Sequence, residues 1–253
     1  MSLNTSTIST YAPLSPVQTM EPRLMYTGLG RLDRFIGGFE RSTMTYLDSE
    51  SRFLYDLTAQ ICVRSYATFG KDVVFVDGGN SMDPHAISQV CRKRHVDRHD
   101  ALSSIKVARA FTAHQLSTLI NDDLEKLLDE TGASTLVVSR FLDLFLDKDM
   151  SWTESFQLIK RSMRSLRKYT MQHDLVTLVT NHGPRKTEYR KGLKELMHQE
   201  PDRFLKLERR NAALKILMDG KDEHMIFHPV NRAQTTLDEF YLVIIDGKDS
   251  THI

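Results

Sequence analysis

At 253 residues, 40% of them hydrophobic and 26% charged, the chain has room for one large α/β domain or two small ones and can bury a core without disulfide staples. A formal net charge of +1 excludes a uniformly basic or acidic polyelectrolyte, no apolar run approaches a membrane span, and no charged-then-apolar leader pattern opens the chain. Cys62 and Cys91 form no CxxC pair, so buried thiols in a reducing, cytoplasmic setting are expected.

Residues 1–22 are rich in Ser and Thr, carry Pro13, Pro16 and Pro22, and show no amphipathic period. They read as a flexible N-terminal arm, with Tyr11-Ala-Pro-Leu14 as a possible hook onto a neighbour, ahead of a core at 23–253. Thr27-Gly-Leu-Gly30 and Gly37-Gly38 bracket a short helix at Leu32–Ile36, and Thr43–Leu47 follows as a strand. Phe53–Thr68 carries Leu54, Leu57, Ile61 and Ser65 on one helical face. Val73–Asp77 is an apolar strand ending in an acid, as buried parallel strands read. Pro84–His95 is a helix opening on proline. Ile105–Arg109 is a strand, His114–Glu130 an amphipathic helix and Thr135–Ser139 another buried strand. Ser151–Gln172 is a long helix with Ser151 and Glu154 spaced as a capping box. Leu175–Thr180 is a strand, and 183–202 a basic loop or helical excursion. Phe204–Leu207, Ala212–Met218, Met225–His228 and Phe240–Ile245 then suggest an antiparallel meander on one sheet edge.

Strands alternating with helices give an α/β fold with a doubly wound, mostly parallel sheet and an antiparallel C-terminal edge. Ligands on such sheets bind at the carboxyl ends of the strands. That rule puts Asp48–Arg52, Asp77–Asn80, Ser139–Phe141 and Asn181–His182 on one rim. The strand, loop and helix from Thr43 to Leu57 have the layout of a phosphate loop without its chemistry. Such a loop needs glycines for close backbone approach, then Lys and Ser/Thr for phosphates and Mg²⁺. Here the loop is Asp48-Ser49-Glu50-Ser51-Arg52, with no glycine, no lysine and two acids that would repel a polyphosphate. Without phosphate, Arg52 is expected to close the loop by pairing with Asp48, Glu50 or Asp77.

Taken in order, Thr27–Asp33 with Gly37-Gly38, Val73–Asp77, Asn80–Pro84, Ile105–Phe111 with His114-Gln115-Leu116, and Leu178–Asn181 resemble the core ATPase domain of the RecA/RadA recombinase family. The resemblance implies a RecA-like fold and sets the positions to compare. The Walker A stretch falls on Asp48–Tyr55 without its Lys or Thr. Gly79 takes the place of the water-activating glutamate, and Ser139, followed by Arg140, the place of the Walker B aspartate, with Asp143 too late to replace it simply. Asn181 and His182 keep a polar pair at the last parallel strand. The expectation is a degenerate, non-catalytic paralog assisting recombinational DNA repair, with no cofactor. The alternatives are an atypical ATPase that holds ATP with Arg52 and a partner's residues, or a pure scaffold.

Charge adds a second set of candidates. From Lys160 to Lys194 ten Lys/Arg stand against two acids. Lys160, Arg161, Arg164, Arg167 and Lys168 form a helical stripe, and the loop that follows brings Arg185, Lys186, Tyr189, Arg190, Lys191 and Lys194. By the resemblance, recombinases carry a DNA-contacting loop there, and cations with an aromatic suit backbone contact and base stacking. From Asp122 to Asp149 eight acids stand against three Lys/Arg, an ordinary surface or a dock for a basic partner. His95 and His99 share a helix face among Arg92, Lys93, Arg94 and Arg98, which would repel a metal, so a solvated face is expected there. The expected partners are DNA, and a recombinase or a second copy, with no metal and no membrane. Localisation is expected to be cytoplasmic, or nuclear or nucleoid-associated when bound to DNA.

Overall fold

The computed structural model describes residues 21–183 and 192–229. Its main sheet has eight strands: β3 (Thr43–Ser49), β4 (Val73–Asp77), β5 (Ile105–Arg109), β6 (Thr135–Ser139), β7 (Val176–His182), β8 (Arg203–Arg210), β9 (Ala213–Met218) and β10 (His224–Phe227). Their spatial order is β10-β9-β8-β3-β7-β6-β4-β5. β8, β3, β7, β6, β4 and β5 run parallel, and β9 and β10 turn back antiparallel. The expected meander is therefore corrected at its first strand. β8 adds parallel to β3, with Leu47 opposite Leu205, before the antiparallel turns begin. A two-stranded ribbon, β1 (Leu24–Met25) with β2 (Phe39–Glu40), precedes this sheet. The expected strand Phe240–Ile245 and most of the N-terminal arm lie outside the described residues.

The pleat of each central strand sends alternate side chains into two separate cores. Leu47, Val73, Phe75, Leu178 and Leu205 face one side, against α1 (Gly30–Ile36), α2 (Phe53–Phe69), α3 (Pro84–Arg94) and α4 (Arg98–Ser103). Met44, Tyr46, Val74, Val76, Val138 and Phe204 face the other. There they meet α5 (Ala113–Thr118), α6 (Leu124–Thr131), α7 (Phe141–Phe145), α8 (Trp152–Gln172) and α9 (Leu193–Gln199). Strands buried on both faces explain the unbroken apolar runs of β4 and β6.

Helix ends follow the local chemistry. Ser151 Oγ accepts from the Glu154 amide at 3.2 Å, making the first half of the expected capping box. The Glu154 carboxylate instead lies 3.4 Å from His114. The helix expected at His114–Glu130 is interrupted by a π turn, Leu119–Asp123, between α5 and α6. That turn is held by Asn121, whose Nδ2 donates to the Ser117 carbonyl at 2.6 Å and whose Oδ1 accepts from Ser165 of α8 at 2.7 Å. Among the described residues no helix is long and apolar enough to cross a membrane, and no group of three or more His, Cys, Asp or Glu could hold a metal ion.

Candidate functional site

The parallel register brings Ser49, Asp77, Ser139 and His182 to the carboxyl ends of their strands, on one rim. The four stretches that the sequence placed together are together. What each side chain does there differs from the expectation.

At β3 the strand runs on to Ser49, so Asp48 is a strand residue, buried and directed into the sheet. Asn181, its register partner on β7, donates from Nδ2 to Asp48 Oδ1 at 3.1 Å. Only Glu50, Ser51 and Arg52 then separate β3 from α2. The amides of Glu50 and Ser51, and of Phe53 at the start of α2, are spent on protein acceptors. Glu50 N donates to the Leu207 carbonyl at 3.2 Å and Ser51 N to Ser49 Oγ at 3.1 Å. Phe53 N donates to Ser51 Oγ at 3.2 Å. The loop is closed, but by two serines. The expected pairing of Arg52 with Asp48, Glu50 or Asp77 is not formed, and Arg52 stands exposed with no ion pair among the described residues. The physical reason is direction: Asp48 points inward along the pleat and Asp77 is engaged elsewhere.

Asp77, fully buried, organises the loop after β4. Its carboxylate accepts from Ser81 N at 2.9 Å, Ser81 Oγ at 3.0 Å, and the amides of Gly79 and Met82 at 3.2 Å each. Arg109 of β5 approaches at 3.3 Å. Burial by itself would raise the Asp77 carboxyl; the amides of Ser81, Met82 and Gly79 and the Ser81 hydroxyl outweigh it and hold the group below its ordinary value. The Ser81 and Ser139 hydroxyls are hydrogen-bonded at 2.7 Å, with Ser81 Oγ free to accept, which ties the β4 and β6 ends together.

Arg140 fills what is left of the rim. It adopts a left-handed backbone, φ 56°, directly after β6. Its Nη1 donates to the Gly79 carbonyl at 3.0 Å, and its guanidinium is paired with Asp143 of α7. A Cβ at Gly79 would stand 2.5 Å from Arg140 Cδ and 2.6 Å from Nε, closer than real atoms approach. Gly79 is therefore a glycine because Arg140 lies across it. Sequence reading missed this link, and Asp143, set aside as misplaced, is the group that anchors the plug.

Among the described residues, the buried Tyr46 hydroxyl and Asn181 Oδ1 near this cluster meet no hydrogen-bond partner. Burial, followed by the Asp48 and Asp143 charges, pushes the Tyr46 phenol well up and keeps it neutral. On the opposite face of the sheet a narrow cleft of about 60 Å³ lies between α2, β4 and α3, lined by Tyr55, Asp56, Cys62 and Met82 among others.

A family model, Rad51, matches residues 23–192 of this chain. The chain belongs to the Rad51 family. Membership relates it to the RecA-like proteins of recombination and repair, and the mostly parallel sheet with antiparallel strands at its edge agrees with that fold.

The residues of this Rad51-family chain expected to contact nucleic acid divide into three groups. Arg185, Lys186, Tyr189, Arg190 and Lys191 lie outside the described residues. Lys194, on α9, lines a groove of about 270 Å³ with His198, Phe204, Lys206 and Lys221. Four of the five cations of the α8 stripe, all but Lys160, face acids from neighbouring elements. Arg161 lies 3.4 Å from Asp122, Arg164 3.4 Å from Glu200, Arg167 2.8 Å from Asp202 and Lys168 3.3 Å from Glu125. Of the acidic run beginning at Asp122, Asp122 and Glu125 are turned toward the basic stripe of α8.

Proposed function

We propose that this chain is a non-catalytic member of the Rad51 family that assists recombinational DNA repair by binding DNA, a recombinase or its own copies. The observation that carries the reading is the self-filled rim. The Arg140 guanidinium occupies the space over Gly79, where the family resemblance puts a glutamate, and the loop amides of Glu50, Ser51 and Phe53 are donated to protein acceptors. These residues fit a Mg²⁺–nucleotide poorly: the loop holds no lysine, Ser139 stands where the resemblance puts the Walker B aspartate, and phosphate would meet the Glu50 and Ser51 amides already donated to protein acceptors. Partner docking is supported by β5, which pairs only with β4 among the described residues and exposes Val107 and, just beyond it, Phe111.

One observation favours an atypical nucleotide-binding protein instead. Arg52 stands exposed at the start of α2 with no ion pair among the described residues, so a phosphate could meet it. The readings part in a single experiment on the full chain. ATPase turnover and thermal shift with Mg²⁺–ATP should match a mock preparation and a nucleotide-free control. Turnover above background that disappears in Arg52→Ala would replace the proposal with the alternative. DNA binding is read by anisotropy of a labelled oligonucleotide across a KCl series. Its absence, with a recombinase still captured, would leave a scaffold.

A further inference from the structure

We infer that the corner between α3 and α4 is a second polyanion-binding face, which takes the sugar-phosphate backbone of nucleic acid through Arg92, Lys93 and Arg98. The inference rests on the DNA arm of the proposed function and adds a surface separate from the rim and from the loop after β7.

From Arg92 to His99 four basic residues stand against one acid. Arg94 turns inward, donating to the Gly28 carbonyl at 2.9 Å and to Gln60 at 3.1 Å. Asp97 is occupied as the cap of α4, accepting from the Asp100 amide at 2.9 Å. Arg92, Lys93 and Arg98 remain exposed, and none of them makes an ion pair among the described residues. This is the reverse of α8, where Arg161, Arg164, Arg167 and Lys168 each face a carboxylate.

Fold stability accounts for part of the corner only. Arg92 and Lys93 lie in the last turn of α3, where a cation complements the helix dipole. Arg98 is the first residue of α4, the end where a cation gains nothing from the dipole. His95 occupies the left-handed cap of α3, φ 54°, a place glycine takes at lower cost, and leaves its ring exposed beside the cations.

The chemistry also selects the partner. The exposed large apolar residues among those described are Tyr26, Val107, Phe111, Met171 and Ile226, and none belongs to this corner. A membrane surface or an amphipathic peptide would require an apolar anchor beside the charge. Cations flanked by imidazole rings need none to hold phosphates, and they carry no base code, so the face binds without sequence preference.

The test is anisotropy of the full chain with a fluorescein-labelled mixed-sequence 30-base-pair duplex and a dT30 strand, titrated with KCl. Charge reversal at Arg92→Glu, Lys93→Glu and Arg98→Glu should weaken binding at least about tenfold at moderate salt and lower the log–log salt slope by about 2–3, near 0.9 for each phosphate no longer neutralised. Arg92→Lys with Arg98→Lys should keep the slope, because a phosphate accepts either cation as a point charge. Bound duplex should also protect Lys93 from acetylation. An unchanged slope and affinity in the triple reversal, while wild-type chain binds, would overturn this inference and leave the proposed function standing. Wild-type chain that binds neither oligonucleotide would remove the DNA arm of the proposed function and this face with it. Competition by poly-glutamate equal to that by DNA, charge for charge, would also overturn it, by assigning the corner to acidic protein.

Discussion

The plug over Gly79 makes a quantitative prediction. Gly79 has an ordinary backbone conformation, so alanine there is opposed by space alone. With Arg140 in place, the added Cβ would stand 2.5 Å from its Cδ, and the side chain or the loop must move. Moving the guanidinium breaks its hydrogen bond to the Gly79 carbonyl and its pairing with Asp143, whose side chain is 10% exposed. Each charged hydrogen bond of the guanidinium contributes about 1.5–3 kcal/mol. Arg140 is 32% exposed, so solvent screening lowers the sum. The expected loss for Gly79→Ala is about 2–4 kcal/mol, or roughly 5–12 °C in Tm for a chain of this size. Arg140→Ala should cost about the same. In the double variant the Cδ and Nε contacts are gone and only a tight 3.0 Å contact with the Cβ of residue 140 remains, so Gly79→Ala on the Arg140→Ala background should cost less than about 1 kcal/mol. The assay is thermal and urea unfolding followed by circular dichroism on the four proteins of the cycle. The reasoning is refuted if the two losses add, or if Gly79→Ala alone costs less than about 0.5 kcal/mol.

Other outcomes can be read from single variants. Asp77 is depressed from its ordinary value of 3.8, so its ionised form stabilises the fold fully above that value, and the contribution is lost as pH falls through the lower folded value. Asp77→Asn should cost about 3 kcal/mol at pH 7 and flatten the acid limb of the stability–pH curve, whereas an unchanged acid limb would deny Asp77 that role. Both cysteines are buried, and burial pushes the Cys62 thiol up to about 12, so Ellman's reagent at pH 8 should label neither faster than the chain unfolds. Joint reversal of Arg161 and Arg164 to Glu should change the DNA salt slope by less than one, because each already faces a carboxylate; a larger change would restore α8 as a DNA surface.

The parallel strands were legible because a strand covered on both faces has no polar alternation to blur its ends. Val73–Asp77, Ile105–Arg109 and Thr135–Ser139 match their expected bounds residue for residue. Helices α4 and α7 were not expected, being too short to show a periodic apolar stripe. The rim was legible as a set of positions. Its side-chain directions were not, since they depend on β3 continuing to Ser49 and on a left-handed Arg140. One residue more of strand turns Asp48 from a loop acid facing solvent into a buried partner of Asn181. Nothing in the local sequence announces the left-handed turn after Ser139, and without it the plug cannot be inferred.

Charge shows the same limit more sharply. Along the chain the acids from Asp122 onward and the cations from Lys160 onward read as two surfaces, each with its own partner. In the fold α8 packs against α5 and the π turn, and Arg161 meets Asp122 while Lys168 meets Glu125. The two runs meet at these two pairs, and Arg164 and Arg167 find their carboxylates outside the acidic run, in Glu200 and Asp202. Such exposed pairs add little stability, commonly under about 1 kcal/mol each, but they remove the potential that would attract a polyanion. A charge run becomes a binding surface only where the fold leaves it unanswered. Among the described residues Arg92, Lys93 and Arg98 of the α3–α4 corner make no ion pair, whereas four of the five cations of the α8 stripe do, although α8 is the longer run in sequence.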